Sequence, residues 1–240
     1  MNLERISERL KQNQIPFGDS LPEKIRIYLE LLREWNKKMD LTALEEEEEL
    51  LDRHYIDSLA VLRTDLIVPS ASIIDVGTGA GFPGMVLALA VPDCSVTLMD
   101  AQQKRLHFLE AVRDATGSRN VSILHARAED AARKPEFREK FDIACARAVA
   151  PLNILCEYLL PFVRVGGCAL CWKGPALRTE LDEGLRAARI LGGHPEMPVC
   201  CRVAGRDWDH RILPVRKTEK TASAYPRKAG TPKAKPLGKK

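Results

Sequence analysis

The chain has 240 residues, 45% hydrophobic and 29% charged, which is ordinary for a globular protein and suits one sizeable domain with appendages. No apolar run approaches the roughly 20 residues that span a bilayer, and the amphipathic, acid-bearing start MNLERISERLKQ is not a secretory signal, so a soluble, cytoplasmic protein is expected. The formal net charge of +4 is unevenly placed: residues 216–240 hold nine Lys or Arg against Glu219 alone, the pattern of a basic arm that meets phosphates.

Leu3, Ile6 and Leu10 recur at helical spacing, as do Ile25, Leu29, Leu32, Trp35 and Met39, with a break at Ile15-Pro16-Phe17-Gly18. Thr42 and Glu45 read as a capping box. The glutamates Glu45 to Glu49 then fall in the first turns of a third helix, where acids favour the helix dipole. That helix continues through Leu51, Tyr55, Leu59 and Leu62. Residues 1–65 are therefore expected to form a helical extension.

After Pro69 the grammar changes. Apolar runs at Ser72–Val76, Ser95–Met99, Val121–Leu124, Phe141–Ala146 and Gly167–Lys173 alternate with helical stretches. Weaker strand signals follow at Pro198–Val203 and Arg211–Arg216. Alternating strand and helix implies a mostly parallel sheet covered on both faces. About seven strands over residues 66–217 are expected, in a Rossmann-like α/β domain. Residues 218–240 are too rich in proline, glycine and lysine for a packed element and read as an extended arm.

The central motif, Asp75-Val76-Gly77-Thr78-Gly79-Ala80-Gly81-Phe82-Pro83-Gly84, follows the first strand and opens a helix. In a doubly wound sheet this is where ligands bind. Gly79, Gly81 and Gly84 match the G-x-G-x-x-G of dinucleotide sites, while Asp75, Gly77, Gly79 and Gly81 match the D-x-G-x-G-x-G of adenosylmethionine sites. Asp75 sits badly beside a pyrophosphate and suits the ammonium group of the sulfonium cofactor, directly or through water. Pro83 removes an N–H where phosphate recognition would use one. Charge thus favours S-adenosyl-L-methionine, with a nicotinamide-dependent oxidoreductase as the alternative. Asp100, closing the second strand, can accept hydrogen bonds from ribose hydroxyls or cap the next helix. Ala128 and Glu129 stand where an adenine contact is usual, or on a plain surface loop. Arg147 and Lys173 close the fourth and fifth strands beside the same cleft. They are the candidates for orienting cofactor or RNA. A non-enzymatic RNA chaperone, a cofactor-sensing regulator, or a methyltransferase acting on another RNA or a protein also remains open.

Seven cysteines include Cys168 and Cys171, a C-x-x-C. On a strand, side chains three apart point to opposite faces, and no second pair completes a zinc set, so no metal is expected. Cys145 lacks the flanks of a cytosine-C5 nucleophile and reads as core. No D-P-P-Y or N-P-P-Y follows the fourth strand, which argues against amino-group methylation.

Several stretches together resemble one family. DVGTGAGFPG, HARAED, CARAVAPL with Arg147, and WKGP look like the ribosomal small-subunit guanine-N7 methyltransferase G family, also known as glucose-inhibited division protein B. Trp35 to Thr42, His54 to Leu59 and Tyr225 to Pro232 resemble its terminal signatures. The resemblance spans about residues 25–237. It implies a seven-stranded class I methyltransferase domain with an N-terminal helical extension. It also implies transfer of methyl from S-adenosylmethionine to N7 of one guanine in 16S ribosomal RNA, within the small ribosomal subunit. The cofactor contacts it implies fall on Gly77, Phe82, Asp100, Ala101, Ala128, Glu129 and Arg147, and the glycine motif adds Gly79. The chain is expected to act as a monomer. Lys173 and the arm residues Arg227, Lys228, Lys233 and Lys235 are expected on RNA phosphates, with Tyr225 stacking on a base. Deleting residues 217–240 is then expected to weaken RNA binding and to spare cofactor binding.

Overall fold

The computed structural model describes residues 1–239. In chain order the helices α1 (Leu3–Gln12) and α2 (Leu21–Met39) lead to a short α3 (Glu47–Leu50), a π-helical turn (Leu51–Ile56), α4 (Asp57–Leu59) and a 3-10 turn (Ala60–Arg63). There follow β1 (Ser72–Val76), α5 (Gly84–Ala90), β2 (Ser95–Asp100), α6 (Gln103–Thr116), β3 (Val121–His125) and α7 (Ala128–Ala131). The second half holds β4 (Phe141–Arg147), α8 (Leu152–Leu159), β5 (Val163–Lys173), α9 (Leu177–Ile190), β6 (Gly193–Pro195), β7 (Val199–Cys200), β8 (Arg211–Lys217) and α10 (Thr231–Ala234).

The sheet runs β3-β2-β1-β4-β5-β8-β6, with β7 paired to β8. Strands β1 to β5 are parallel, and β8 is antiparallel to β5, as are β6 and β7 to β8. The central strands are short apolar runs because both faces are covered. One core lies under α5, α6 and the N-terminal helices, the other under α8 and α9. Cys168 belongs to the first core and Cys171 to the second, so the two thiols face opposite sides of β5. Chain order reverses between β1 and β4, and the glycine loop after β1 lies at that switch point, where ligands bind in such sheets.

Three local expectations are corrected. The short β6 carried no strand signal, and the Pro198–Val203 signal reduces to the two-residue β7. Thr42 does not cap a helix. Its hydroxyl takes the Leu44 N–H at 3.2 Å and meets His54 Nε2 at 2.9 Å, and α3 starts at Glu47 instead. The glutamate run is more than a solvated helix start. Glu47 pairs with Arg33 and with the amino group of Met1, and Glu48 pairs with Arg5 at 2.7 Å, so the run ties α1 and α2 to the third helical segment.

The largest departure is the tail, which packs. Arg138 donates to the carbonyls of Thr221, Ala222 and Tyr225 at 2.7, 3.2 and 2.8 Å. Arg227 forms an ion pair of 2.6 Å with Glu157, whose carboxylate is fully buried. Pro226 and Pro232 are buried, and Tyr225 packs against the second core. Composition favoured an extended arm because it counts the arm's own side chains. It cannot register that a buried acid and a reaching arginine wait on the domain to hold them.

Candidate functional site: two cavities at the switch point

Gly77, Gly79 and Gly81 have φ of +71, +60 and +95°, a left-handed backbone that glycine adopts without strain. The loop is closed on itself. Gly77 N–H and Thr78 N–H donate to Met99 O at 2.8 and 3.0 Å, and Gly79 N–H to Asp100 Oδ2 at 2.9 Å. Gly81 and Phe82 N–H donate to Thr78 O, and Gly84 N–H to Asp75 Oδ2 at 2.8 Å. Asp75 also accepts from Thr78 Oγ1 at 2.6 Å, while its Oδ1 is buried without a partner. Burial pushes the Asp75 carboxyl up to about 6, against these two hydrogen bonds and the nearby Arg147. Asp75 therefore shapes the loop from behind. It is not among the residues that line the cavity, so of the two expected routes to a ligand's ammonium group, direct or through water, the geometry favours the second.

In front of the loop lies a cavity of about 170 Å³. Its floor is Gly77, Asp100 and Ala101, and Ala128 and Glu129 stand on the β3 side. Val149 and Tyr158, from beyond β4, complete the lining on this side of the domain. Asp100 has Oδ2 on Gly79 and Oδ1 on Gln102 N–H at 2.8 Å, and each oxygen keeps a further lone pair. A side chain at Gly77 would be strained by its left-handed φ and would press a Cβ against a Val149 methyl at 3.0 Å.

Phe82 lies elsewhere. It is sandwiched between Tyr28, stacked at 5.5 Å, and the His54 ring at 4.6 Å, with the Arg147 guanidinium 5.0 Å from its centroid. Tyr28 donates to Ala80 O. The N-terminal helices thus brace the glycine loop directly.

A second cavity, of about 330 Å³, opens beside the first. It collects Arg53, His54, Asp57, Arg147, Trp172 and His210, with Lys173 at its rim. Arg147 donates to Arg53 O at 2.8 Å, to Asp57 Oδ2 at 3.2 Å and to His54 Nδ1 at 3.0 Å. His210 Nδ1 meets the other Asp57 oxygen at 2.9 Å, and Trp172 Nε1–H donates to Asp57 O at 3.3 Å. Because a guanidinium only donates, His54 Nδ1 accepts and its proton sits on Nε2, toward Thr42. Burial, with Arg147 and Arg53 adding, lowers the His54 pKa to about 3, so the ring is neutral.

Of the residues singled out from the sequence, Gly77, Asp100, Ala101, Ala128 and Glu129 share the first cavity. Arg147 and Lys173 share the second. Gly79 acts through Asp100, and Phe82 packs under Arg147. The expected phosphate-binding group divides. Arg227 is committed to Glu157, Lys233 borders the first cavity, and Lys228 and Lys235 are exposed. Tyr225 is half-buried against the second core. Sequence reasoning did not give Arg53, His54, Asp57, Trp172 or His210 individual roles. The His54–Asp57 spacing on one helical face was the available signal. Nothing local marks His210, which is 153 positions from its partner Asp57.

The loop's engaged N–H groups decide between the two cofactor classes. A pyrophosphate is held by free backbone N–H groups at such a turn. Here those of Gly77, Thr78, Gly79, Gly81, Phe82 and Gly84 are already bonded, and two carboxylates, Asp75 and Asp100, flank them. The apolar walls and Asp100 fit an adenosine that carries a cationic sulfonium group.

A family model described as rRNA small subunit methyltransferase G matches residues 21–207. Curated proteins named Ribosomal RNA small subunit methyltransferase G match along nearly the whole chain. The one from Alkaliphilus oremlandii is 44% identical over 97% of both chains, and the one from Clostridium perfringens strain 13 is 42% identical over 92% of both. Among solved structures, a chain of the complex between the Haloferax volcanii Trm112 methyltransferase activator and a methyltransferase superposes with a TM-score of 0.57. It is 13% identical, covering 78% of this chain and 98% of that one. A 16S rRNA (adenine(1408)-N(1))-methyltransferase from Catenulisporales acidiphilia gives 0.52 at 14% identity, covering 63% and 90%. At these identities the structural likeness establishes the class I methyltransferase fold alone.

Proposed function

The chain belongs to the rRNA small subunit methyltransferase G family, and from that premise we propose that it methylates N7 of one guanine in 16S ribosomal RNA, with S-adenosylmethionine as donor. The observation that carries this reading is the pair of neighbouring cavities at the switch point. One suits an adenosine and the other an extruded purine, and consecutive residues of one loop, Ala148 and Val149, border each.

S-adenosylmethionine supplies an electrophilic methyl group on a positively charged sulfur. Asp100 would hold its ribose, Gly77 and Ala101 its underside, and Ala128 and Glu129 its adenine. In the larger cavity Arg147 and Lys173 bring N–H donors to a guest whose O6 stands next to N7, while the Trp172 ring offers an apolar wall. Guanine N7 has an in-plane lone pair and no proton, so no side chain need act as base. Alignment then contributes most of the rate. Methylation leaves positive charge on the purine, and the Asp57 carboxylate, 2% exposed, is placed to stabilise it. Lys228 and Lys235 would meet RNA phosphates, whereas Lys173, 10% exposed, is held by Glu180 at 2.5 Å and by Ala150 O at 3.2 Å. The working form is a monomer in the cytoplasm, where the small subunit is assembled.

The test is transfer of tritiated methyl from S-adenosylmethionine to small subunits from cells lacking this chain, followed by mapping of the labelled nucleotide. The expected product is a single 7-methylguanine, identified by borohydride–aniline cleavage at that position. Label on any other atom, or none in a protein that retains nicotinamide nucleotide, refutes the proposal.

A further inference from the structure

The first cavity has a wall that the β-sheet does not supply. Gly230 and Lys233, from the C-terminal segment, border it together with Glu129 and Tyr158. Gly230 N–H donates to Glu129 Oε1 at 3.0 Å. Glu129 is only 5% exposed, and it lines the cavity together with Gly77 of the glycine loop. Lys233 follows within the single turn of α10, whose Ala234 N–H returns to Gly230 O at 3.0 Å.

This segment is anchored at both ends. Upstream, the Arg227 guanidinium and backbone N–H both bond to the buried Glu157, and Arg138 clasps three carbonyls. Downstream, Arg186 Nε donates to Gly238 O at 2.7 Å. The resulting strap crosses from α8 to α9 and passes over the cavity between its anchors. A stretch expected to serve RNA alone is thus built into the neighbouring site.

Resting on the reading of this cavity as the adenosylmethionine site, we propose that the strap residues Gly230–Lys233 are part of the cofactor-binding site, closing over its nucleoside end. Gly230 fixes the Glu129 carboxylate by its N–H. The Lys233 ammonium supplies a hydrogen-bond donor at the rim, matched to the ring-nitrogen acceptors of adenine. Cofactor affinity therefore depends on a segment outside the β-sheet framework. Exposed Lys228 and Lys235 lie on the same strap, so RNA held by them bears on the cofactor as well.

The experiment measures S-adenosylhomocysteine binding to the full chain by titration calorimetry, alongside hydrogen exchange of the strap amides. A Glu157→Gln, Arg227→Met double variant removes the Arg227–Glu157 part of the upstream anchor, leaving the Arg138 contacts, without stranding a buried charge. It is expected to exchange faster across residues 218–239 and to bind about tenfold or more weakly, about 1.4 kcal/mol. Lys233→Met, which keeps the stem and removes the donor, is expected to weaken binding by roughly three- to tenfold, the range for the net contribution of one ordinary hydrogen bond. Lys220→Ala, exposed on the same strap and away from the cavity, is expected to bind as the parent does. In the parent protein, the ligand is expected to slow exchange at Gly230 and its neighbours. A double variant with a loosened strap and affinity within twofold of the parent overturns the proposal. If the strap stays in place in that variant, unchanged affinity in Lys233→Met with no ligand-dependent protection of the strap overturns it equally. Failure of the parent to bind S-adenosylhomocysteine at all would instead strike the reading of the cavity itself.

Discussion

The Asp75→Asn substitution isolates one buried charge and its effect on stability. The Asp75 side chain is fully buried, and its carboxyl is raised from an ordinary 3.8 to about 6. A carboxyl whose folded value lies above its unfolded one favours the fold when protonated. Its contribution is complete below about pH 4 and is lost as pH rises through about 6. The shift of about two units corresponds to about 3 kcal/mol at 1.36 kcal/mol per unit. Asparagine carries no charge at any of these pH values, although its amide leaves new buried donors at a constant cost of about 1–3 kcal/mol. That cost does not vary with pH, so the difference between the two proteins reports the carboxyl. The neutral His54, present in both, cancels. The stability of the variant minus that of the parent should rise by about 3 kcal/mol between pH 4 and pH 7.5. For a chain of this length that is roughly 6–12 °C in relative Tm. Thermal unfolding of both ligand-free proteins across this pH range is the assay. Parallel Tm curves would refute the inference that Asp75 is desolvated and charged at neutral pH.

Gly79 and Gly81 share a left-handed φ but differ in surroundings. A Cβ at Gly81 would collide with Tyr28 Oη and stand 2.7 Å from Leu109, whereas one at Gly79 meets only Arg105 at 4.0 Å. Gly81→Ala should therefore destabilise by about 2–4 kcal/mol and Gly79→Ala by about 1 kcal/mol, which chemical denaturation will distinguish. Asp57→Asn removes the charge shared by Arg147 and His210. It should lower the methyl-transfer rate about 10- to 100-fold while S-adenosylhomocysteine binding stays within twofold, and an unchanged rate would remove Asp57 from the proposed chemistry. The His54 pKa lies near 3, below the ordinary 6.5, so its neutral ring stabilises the fold above pH 6.5, a contribution lost as pH falls. Nitrogen-15 spectra should show His54 protonated on Nε2 alone from pH 8 to pH 5, and titration near 6.5 would contradict the Arg147–His54 hydrogen bond.

The sheet and the glycine loop were legible because their signals are local. A strand buried on both faces must be an apolar run, as in Ser72–Val76. A left-handed turn must be glycine where Cβ has no room, as at Gly81. Asp100 was singled out by the same logic, since a strand end is a position that sequence spacing can count, and it lines the smaller cavity. Local rules failed where a partner from elsewhere competed. Thr42 has the residues of a cap, but Leu44 and His54 take its hydroxyl.

The larger cavity and the strap were decided only by the tertiary structure. Asp57 gains its meaning from Arg147 and His210, which reach it from β4 and the approach to β8, and no periodicity links those positions. The tail's lysine and proline content describes an unpaired chain, and that is what it would be in isolation. Glu157, Glu129 and Arg138 change its state because burying a charge is costly alone and tolerable when paired. Which charges find each other is a property of the folded surface, and that is why a segment with the composition of a free arm forms a wall of the site.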